Sequence, residues 1–418
     1  MLSCGKLDIS RNAAGNTISS MGAVNLDGGT LMVTSVTNLS ANQQTGGTPL
    51  ASFNFNGGTL LAKAGAAPLF FQGSLVAPVT PITTLVKSGG ATIDDGGNII
   101  TIAEPLQHDP ALGNLPDGGL TKLNSGTLTL TAASTYNGST TVSAGTLALT
   151  GSGSISNTAA LTIASNATFD VTGLAGQAFL LNVGQNLSGF GTVNGTLTAA
   201  AGSVLAPGSV AAVGRLFVAG NLALNGTTKM KLNQAAQTND ALSVGAGLNY
   251  GGTLLLTNLG GTLANGSSFK LFSAASYNGA FSNVVPAIPA LNLAWNTNAL
   301  ATGTLQIVSF PTPRPLLQVS AAANTFIFSG SNGVPGWPCH LLTSTNLLLP
   351  PSNWTSIATN FFDLTGAFRF TNTPPPGFTP AILPLAIAVI SASRSCWHSS
   401  RCRDWGHAIA ALYPRFLR

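Results

Sequence analysis

Apolar and hydroxyl residues alternate with a period of two in short segments along most of the chain. Thr127–Leu130 and Thr146–Leu149 are clear examples. This period places leucines on one face of a β-strand and hydroxyl or small side chains on the other. Clusters of Gly, Asn, Ser and Asp, such as Asp94–Asn98, separate these segments and are typical of turns. The body shows no helical period, so the sequence predicts an all-β protein.

The same tripeptide, Gly-Thr-Leu or a close variant, recurs, and its intervals through Thr196 are 19 to 35 residues. Intervals of this size are typical of one turn of a solenoid with variable loops. Short strands between turns also allow a sandwich or a barrel. The recurrence favours a parallel β-solenoid, because stacked coils present the same residue type at the same place in each turn. The threonines of the recurrence are Thr30, Thr59, Thr92, Thr127, Thr146, Thr168, Thr196, Thr253 and Thr262.

Composition narrows the fold further. Only 6% of the 418 residues are charged, against roughly 25% in ordinary globular proteins, and Glu104 is the one glutamate. Coiled coils and helical bundles are excluded, because their exposed helix faces are rich in Glu, Lys, Arg and Gln. A hydrophobic fraction of 44% argues against general disorder. Stacked coils avoid like charges on successive strands, whereas Thr, Ser and Asn can hydrogen-bond along the stack.

The positions of charged residues, cysteines and apolar runs exclude several classes of partner and structure. Five arginines and one aspartate in residues 381–418 account for most of the net charge of +5. No basic stripe runs through the body, so nucleic-acid binding is not expected. The four cysteines leave residues 5–338 without any, which excludes a disulfide-stapled body. The longest apolar run, Ala381–Ile390, is too short for a membrane span, and residues 1–6 offer no apolar secretion signal.

A specific resemblance appears at residues 118–150. GGLTKLNSGTLTL at Gly118–Leu130 and YNGSTTVSAGTL at Tyr136–Leu147 resemble the autotransporter-associated β-strand repeat, also called the passenger-associated transport repeat. Gly191–Leu197 and Leu205–Gly208 are similar to the coils that usually follow it. The resemblance implies a secreted or surface-displayed right-handed parallel β-helix, often carried by a C-terminal outer-membrane β-barrel. Residues after 308 lack the ten-residue alternating strands of such a barrel, so none is expected in this chain.

The predicted organisation has five parts. Residues 1–19 form a truncated start and residues 20–308 the β-helix; 309–315 are a Pro-rich linker and 316–380 a small β-sandwich-like module. The segment 381–418 is an anomalous basic tail, because Thr disappears while Arg, Cys and Trp become frequent. Our hypothesis is that a frameshift produced this tail. A surface-sorting tail is the alternative.

Asp94 and Asp95 are the only adjacent acidic residues. Paired carboxylates can bind Ca²⁺ or act as acid and base in β-helical enzymes that cut acidic polysaccharides. Lys87 is the nearest basic residue in sequence that could steady a uronate. We favour an Asx-rich turn, because neighbouring strand residues point to opposite faces.

Two further groups suggest chemistry only weakly. His108 beside Asp109 resembles a base and its orienting partner, but sequence adjacency is the wrong geometry, and a loop before Pro110 is favoured. A zinc site would need four residues whose spacing matches no common finger. These are Cys396, His398, Cys402 and His407.

The remaining candidates are interpreted as structural. Asp170 and Asp240 are isolated acids in strand and turn contexts. Trp295, Trp337 and Trp354 could form a platform for sugars, but scattered tryptophans are more often core residues. We therefore predict no catalytic, cofactor-binding or metal-binding residues and no cofactor.

These observations favour a non-enzymatic, structural or adhesive protein outside the cell. Its partners would be extracellular polysaccharide or cell-surface components. The alternatives are a β-helical carbohydrate-active enzyme, either a polysaccharide lyase or a hydrolase, and a sugar-binding protein acting mainly through residues 316–380. An enzyme would require Asp94, Asp95, Glu104 and Asp109 to converge near a basic residue.

Overall fold

A computed structural model describes most of the chain. It covers residues 1–9, 21–38, 50–73, 81–290, 293–309, 316–322, 325–333, 335–344, 353–372, 386–391 and 407–411. Residues 310–315 of the expected linker and Cys396, His398 and Cys402 of the tail lie outside the described residues.

The chain divides into two compact units. The first unit consists of Met1–Thr262, Phe269–Val285 and Asn298–Leu305. The second unit consists of Leu263–Ser268, Pro286–Thr297 and Gln306–Arg418.

Sheet A is the longest sheet of the first unit. Twelve of its strands stack in parallel, and Thr238–Asn239 pairs antiparallel with one of them, Thr227–Asn233. Eleven steps of about 4.8 Å make the stack roughly 50 Å long. The parallel strands, in stacking order, are Leu2–Ser3, Thr30–Val33, Thr59–Ala62, Ala91–Asp94, Leu120–Leu123, Thr140–Val142, Ala160–Ile163, Asn186–Gly189, Val204–Pro207, Thr227–Asn233, Thr253–Asn258 and Asn283–Val285.

Sheet B forms the second side of each coil. Its eleven strands are all parallel, and each of the first ten directly follows a sheet A strand along the chain. In stacking order they are Lys6–Asp8, Ser35–Thr37, Leu69–Gln72, Ile99–Ile102, Thr127–Leu130, Thr146–Gly151, Thr168–Leu174, Thr192–Asn194, Arg215–Val218, Ala241–Val244 and Phe272–Ser273.

Two separate parallel sheets lie between sheet B and the next strand of sheet A. Sheet C contains Met21–Leu26, Leu50–Phe55, Ile82–Val86 and Leu106–His108. Sheet D contains Ala178–Leu181, Thr196–Ala199, Leu222–Leu224, Gly247–Tyr250 and Ser276–Gly279. The coils between these two sheets are joined on this side by a single parallel bridge between Ala133 and Ser154. The predicted all-β class and stacked parallel β-helix are therefore confirmed.

The inner face of the coils is an apolar column. In sheet B, Ile100, Leu128, Leu147, Phe169 and Val193 lie in register on successive strands, and all five are fully buried. Burial of each such side chain contributes about 1.5–3 kcal/mol. The alternation of threonine and leucine read from the sequence sets this inner column, because the intervening side chains point outward.

Four short elements lie outside sheets A to D. Three 3₁₀ turns cover Pro110–Leu112, Ala175–Gln177 and Thr297–Thr302, and a short strand covers Ser268–Lys270.

The second unit is built from antiparallel strands. Leu293–Asn296 pairs with the last residues of Thr304–Ser309. A three-stranded sheet contains Leu316–Ala322, Thr325–Ser331 and Phe368–Asn372, and a four-stranded sheet contains Thr355–Phe361, Pro338–Ser344, Ala386–Ser391 and His407–Ala411. Side chains from both sheets share one core, as expected of a sandwich-like module. This core consists of Phe328, Cys339, Leu341, Phe362, Phe368 and Phe370.

Candidate functional site

The adjacent carboxylates Asp94 and Asp95 close a turn. Asp94 Oδ1 accepts a hydrogen bond from the Gly96 N–H at 2.8 Å, and Asp95 Oδ1 accepts one from the Gly97 N–H at 2.7 Å. Asp94 is half-buried, whereas Asp95 is fully buried. The structure therefore shows the Asx-rich turn that the sequence favours, with the two carboxylates in different environments.

Lys122 is the buried partner of Asp95. Its ammonium forms an ion pair with Asp95 Oδ2, and both side chains are fully buried. Lys122 Nζ also donates to three backbone carbonyls, those of Asn124 at 2.6 Å, Gly126 at 2.9 Å and Ala144 at 2.9 Å. The ammonium therefore faces four acceptors, and the Asp95 carboxylate is its counter-ion. One lysine thus connects turns of three successive coils.

Two glycines make room for this lysine and its counter-ion. A β-carbon at Gly126 would lie 2.5 Å from Asp95 Oδ1, and one at Gly145 would lie 2.6 Å from Lys122 Nζ. Gly145 also has a φ of +61°, which side-chain-bearing residues rarely adopt. The glycines before Thr-Leu in this region therefore serve the buried ion pair as well as the turn.

Asp117 is a second buried carboxylate at the centre of a turn. It accepts hydrogen bonds from the backbone N–H groups of Gly119, Asn137 and Gly138 at 2.8–2.9 Å. Its Oδ2 also lies 2.9 Å from His108 Nδ1. The histidine therefore pairs with Asp117 rather than with its sequence neighbour Asp109.

The environment of His108 favours its charged form. The hydrogen bond with Asp117 raises the pKa of the imidazole above its usual value. His108 Nε2 lies 3.1 Å from the Gly113 carbonyl, so both ring nitrogens face acceptors. An imidazolium that donates on both sides satisfies this geometry. Such a histidine has no free nitrogen with which to act as a general base.

The other acids named for a catalytic site are held separately. Asp109 caps the Pro110–Leu112 turn and lies 3.1 Å from Lys87 Nζ, and a backbone hydrogen bond in that turn lowers its pKa. Glu104 accepts a hydrogen bond from the Gly73 N–H at 2.7 Å, while burial raises its pKa. Together with Asp94 and Asp95, these carboxylates have different hydrogen-bond and ion-pair partners.

Asp170 and Asp240 also have structural partners. Asp240 is buried and pairs with Lys231 Nζ at 2.8 Å, and it accepts the Gly214 N–H at 2.8 Å. Burial raises the pKa of Asp240. Asp170 Oδ2 accepts a hydrogen bond from Asn194 Nδ2 on the next coil at 3.0 Å. Both acids therefore hold turns or link coils, in agreement with the sequence interpretation.

The three tryptophans considered as a sugar platform have structural environments in the described part of the chain. Trp354 is buried, Trp337 packs against the core of the second unit, and Trp295 Nε1 donates to the Pro286 carbonyl at 2.8 Å. His407 lies in a strand whose side chains are not described. Within the described ranges, no group of three or more His, Cys, Asp or Glu residues is placed to hold a metal ion.

Outward-facing hydroxyl side chains form continuous columns. One column on sheet A is joined from strand to strand by parallel pairing and consists of Thr30, Thr59, Thr92, Thr121, Thr141, Thr162 and Ser188. A shorter column on sheet B consists of Thr127, Thr146, Thr168 and Thr192. All members are half-buried, so each presents part of its side chain to solvent. We call these two sets the hydroxyl columns.

The buried ion pair was not foreseen from the sequence, although a signal was present. Lys122 occupies an inward position in the alternating strand Leu120–Leu123, where an apolar side chain is expected. A lysine at such a position requires a buried acceptor. Asp117 carried no comparable signal, because its partners depend on how neighbouring coils align.

Comparison with known families places Lys122, one member of this ion pair, inside a recognised repeat. Residues 120–149 match the model of the passenger-associated-transport-repeat, in agreement with the resemblance noted from the sequence. The matched segment includes Lys122, Gly126 and Gly145. A search of curated proteins found no match. No helix among the described residues has the length and apolar character needed to cross a membrane. The chain therefore contains a passenger-type repeat within a parallel β-helix.

Proposed function

We propose that this passenger-like β-helical protein acts outside the cell by surface contact, without catalysing a reaction on its partner. The observation that carries the proposal is the division of roles between the two faces of its strands. The ionisable side chains considered for catalysis are held in turns and between coils by named partners. The outward faces carry the hydroxyl columns, which offer a repeated, uncharged array of hydrogen-bonding groups.

The enzyme alternative requires acids that converge on one ligand. Asp94 and Asp95 face different environments, and Glu104 and Asp109 have partners of their own. The alternative centred on residues 316–380 relies on Trp354 for sugar contact, whereas Trp354 is buried. Both arguments favour contact through the first unit.

The proposal is tested with the purified full chain. Its binding to cell surfaces and extracellular polysaccharides is measured on coated plates, while the same polysaccharides are assayed for new reducing ends and unsaturated products. We expect binding without product release. Replacing Thr121 and Thr141 by lysine should weaken binding, because both changes put charge into a hydroxyl column; Ser125→Lys in an exposed turn is the control. Absence of binding, or steady product formation, would contradict the proposal.

A further inference from the structure

Sheet D carries a groove on its outer face. The groove has a volume of about 430 Å³, and its outward lining consists of hydroxyl, amide and small side chains. The strands are in register, so these residues form two parallel columns. One column contains Thr198, Ala223, Asn249 and Asn278, and the other contains Thr196, Asn221, Gly247 and Ser276.

Small residues create the depression. Ala223 and Gly247 stand in the middle of the two columns, where a larger side chain would fill the space. Thr198 lies on one side of this floor, and Asn249 and Asn278 lie on the other. The lining extends over four strands, or about 14 Å along the stack. The groove is therefore elongated in the direction in which the coils repeat.

One amide of the lining has a fixed orientation. Asn221 Oδ1 accepts a hydrogen bond from the Gly247 N–H at 2.9 Å, which leaves its Nδ2 group as a donor for the groove. Asn249 and Asn278 are exposed, and each carries both a donor and an acceptor. A ligand along the groove would thus meet amide groups on three successive strands.

The chemistry of the lining selects one class of ligand. No lining residue is charged, so the groove offers no counter-charge for phosphate, sulfate or uronate groups. Its outward side chains are also not aromatic, which disfavours apolar ligands and stacked bases. Hydroxyl groups both donate and accept hydrogen bonds, as do the amides and hydroxyls of the lining. A polyhydroxylated, uncharged chain satisfies all three conditions.

We propose that the sheet D groove is a binding subsite for a short segment of a neutral polysaccharide. This inference rests on the contact role proposed above and assigns that role a ligand class and a place on the molecule. The repeat of the coils and the repeat of a sugar chain run along the same direction in this arrangement. Asn249 and Asn278 are the principal donors, and Ala223 forms the floor.

The test uses the full chain and a panel of soluble glycans. The panel contains a neutral β-glucan, a neutral α-glucan and a mannan, with polygalacturonate and a sulfated glycan as charged counterparts. Binding is measured by isothermal titration for the parent chain, for the Asn249→Ala/Asn278→Ala double variant and for Ala223→Leu. A matched double variant, Asn186→Ala/Asn283→Ala, removes two exposed amides from sheet A instead.

We expect at least one neutral glycan to bind and the charged glycans to bind more weakly. Loss of two ligand hydrogen bonds should weaken affinity about tenfold or more in the groove double variant. Ala223→Leu should weaken binding by occupying the floor, and the sheet A double variant should bind as the parent does. Circular dichroism of every variant verifies that the fold is retained.

The outcomes separate this inference from the proposed function. Preference for the charged glycans, or neutral-glycan binding unchanged in both groove variants, would overturn the groove but leave a contact role in place. Adhesion to cells or proteins with no glycan binding would likewise overturn the groove and leave a contact role in place. Failure to bind any glycan or any cell surface would overturn both.

Discussion

Replacing Lys122 by methionine tests the buried ion pair directly. Methionine preserves most of the length of the side chain but removes the ammonium that binds Asp95 and three carbonyls. Removal of one partner from a buried pair costs about 3–5 kcal/mol, because the other charge stays buried without compensation. Three carbonyls also lose their donor, so we expect a loss of at least about 3 kcal/mol in local stability.

Hydrogen exchange is the suitable assay, because coils of a solenoid contact only their neighbours and need not unfold together. The Thr127 N–H donates to the Asn98 carbonyl across the coils joined by Lys122. A loss of 3 kcal/mol at this amide lowers its protection about a hundredfold or more. The Thr253 N–H, which donates to the Gly226 carbonyl in a distant coil, serves as an internal reference and should change little.

A double-mutant cycle distinguishes the ion pair from general damage. Asp95→Asn keeps an acceptor for the turn but removes the charge. The stability lost in the Lys122→Met/Asp95→Asn double variant should therefore be about 1–3 kcal/mol smaller than the sum of the losses in the two single variants. Lys229→Met, at an exposed position of sheet A, is the matched control and should have little effect. Unchanged exchange at Thr127, or strictly additive losses, would refute the account of Lys122.

Three smaller predictions concern neighbouring turns. Asp117 raises the pKa of His108 in the folded protein, so the stabilisation by this pair is complete below about pH 6.5 and is lost as pH rises through the folded pKa. Thermal unfolding measured from pH 5 to 8 should therefore show the parent losing its stability advantage over His108→Gln. A constant difference between the two proteins across this pH range would contradict the prediction. Gly145→Ala should cost more than about 1 kcal/mol in urea unfolding, and more than Gly184→Ala, which has a similar positive φ but open space around it. Tyr136→Phe should cost about 1 kcal/mol in the same assay, because the buried hydroxyl loses its bond to a threonine, and equal stability would contradict this.

Side-chain alternation was the part of the fold that sequence could predict well. In Thr127–Leu130 the leucines are buried and the threonines are half-buried, as the period of two requires. The signal is strong because an error of one residue would turn every leucine to solvent. The parallel stack was also predictable, since short strands recur with nearly the same residues.

Apart from Thr262, which lies outside the strands, the Gly-Thr-Leu recurrence marks the beginnings of strands rather than one fixed place on the coil. Thr59 begins a strand of sheet A, Thr127 one of sheet B, and Thr196 one of sheet D. The tripeptide suits the beginning of a strand in any of these sheets, because glycine allows the turn while threonine faces outward and leucine faces inward. Intervals between these threonines are therefore not coil lengths everywhere, and the third side of the coil could not be assigned from them.

Pairings between coils were beyond what sequence could show. Asp95 and Lys122 meet because the 27 positions from one to the other complete one circuit, and His108 meets Asp117 because a short 3₁₀ turn brings the chain back. Both depend on the lengths of corners, which composition does not encode. A charged residue at an inward position shows that a partner is needed, but not which one.

The same dependence on corner length governs the proposed groove. Thr198, Ala223 and Asn249 are aligned by strand pairing, although about 25 residues separate each from the next. A residue inserted within a strand would reverse the outward and inward side chains beyond it, whereas one inserted at a corner would be absorbed as a bulge of the loop. Buried pairs such as Lys122–Asp95 oppose slippage, because a shifted coil would leave both charges without partners. Buried charged pairs thus keep the outward-facing side chains in line on the coils that they join.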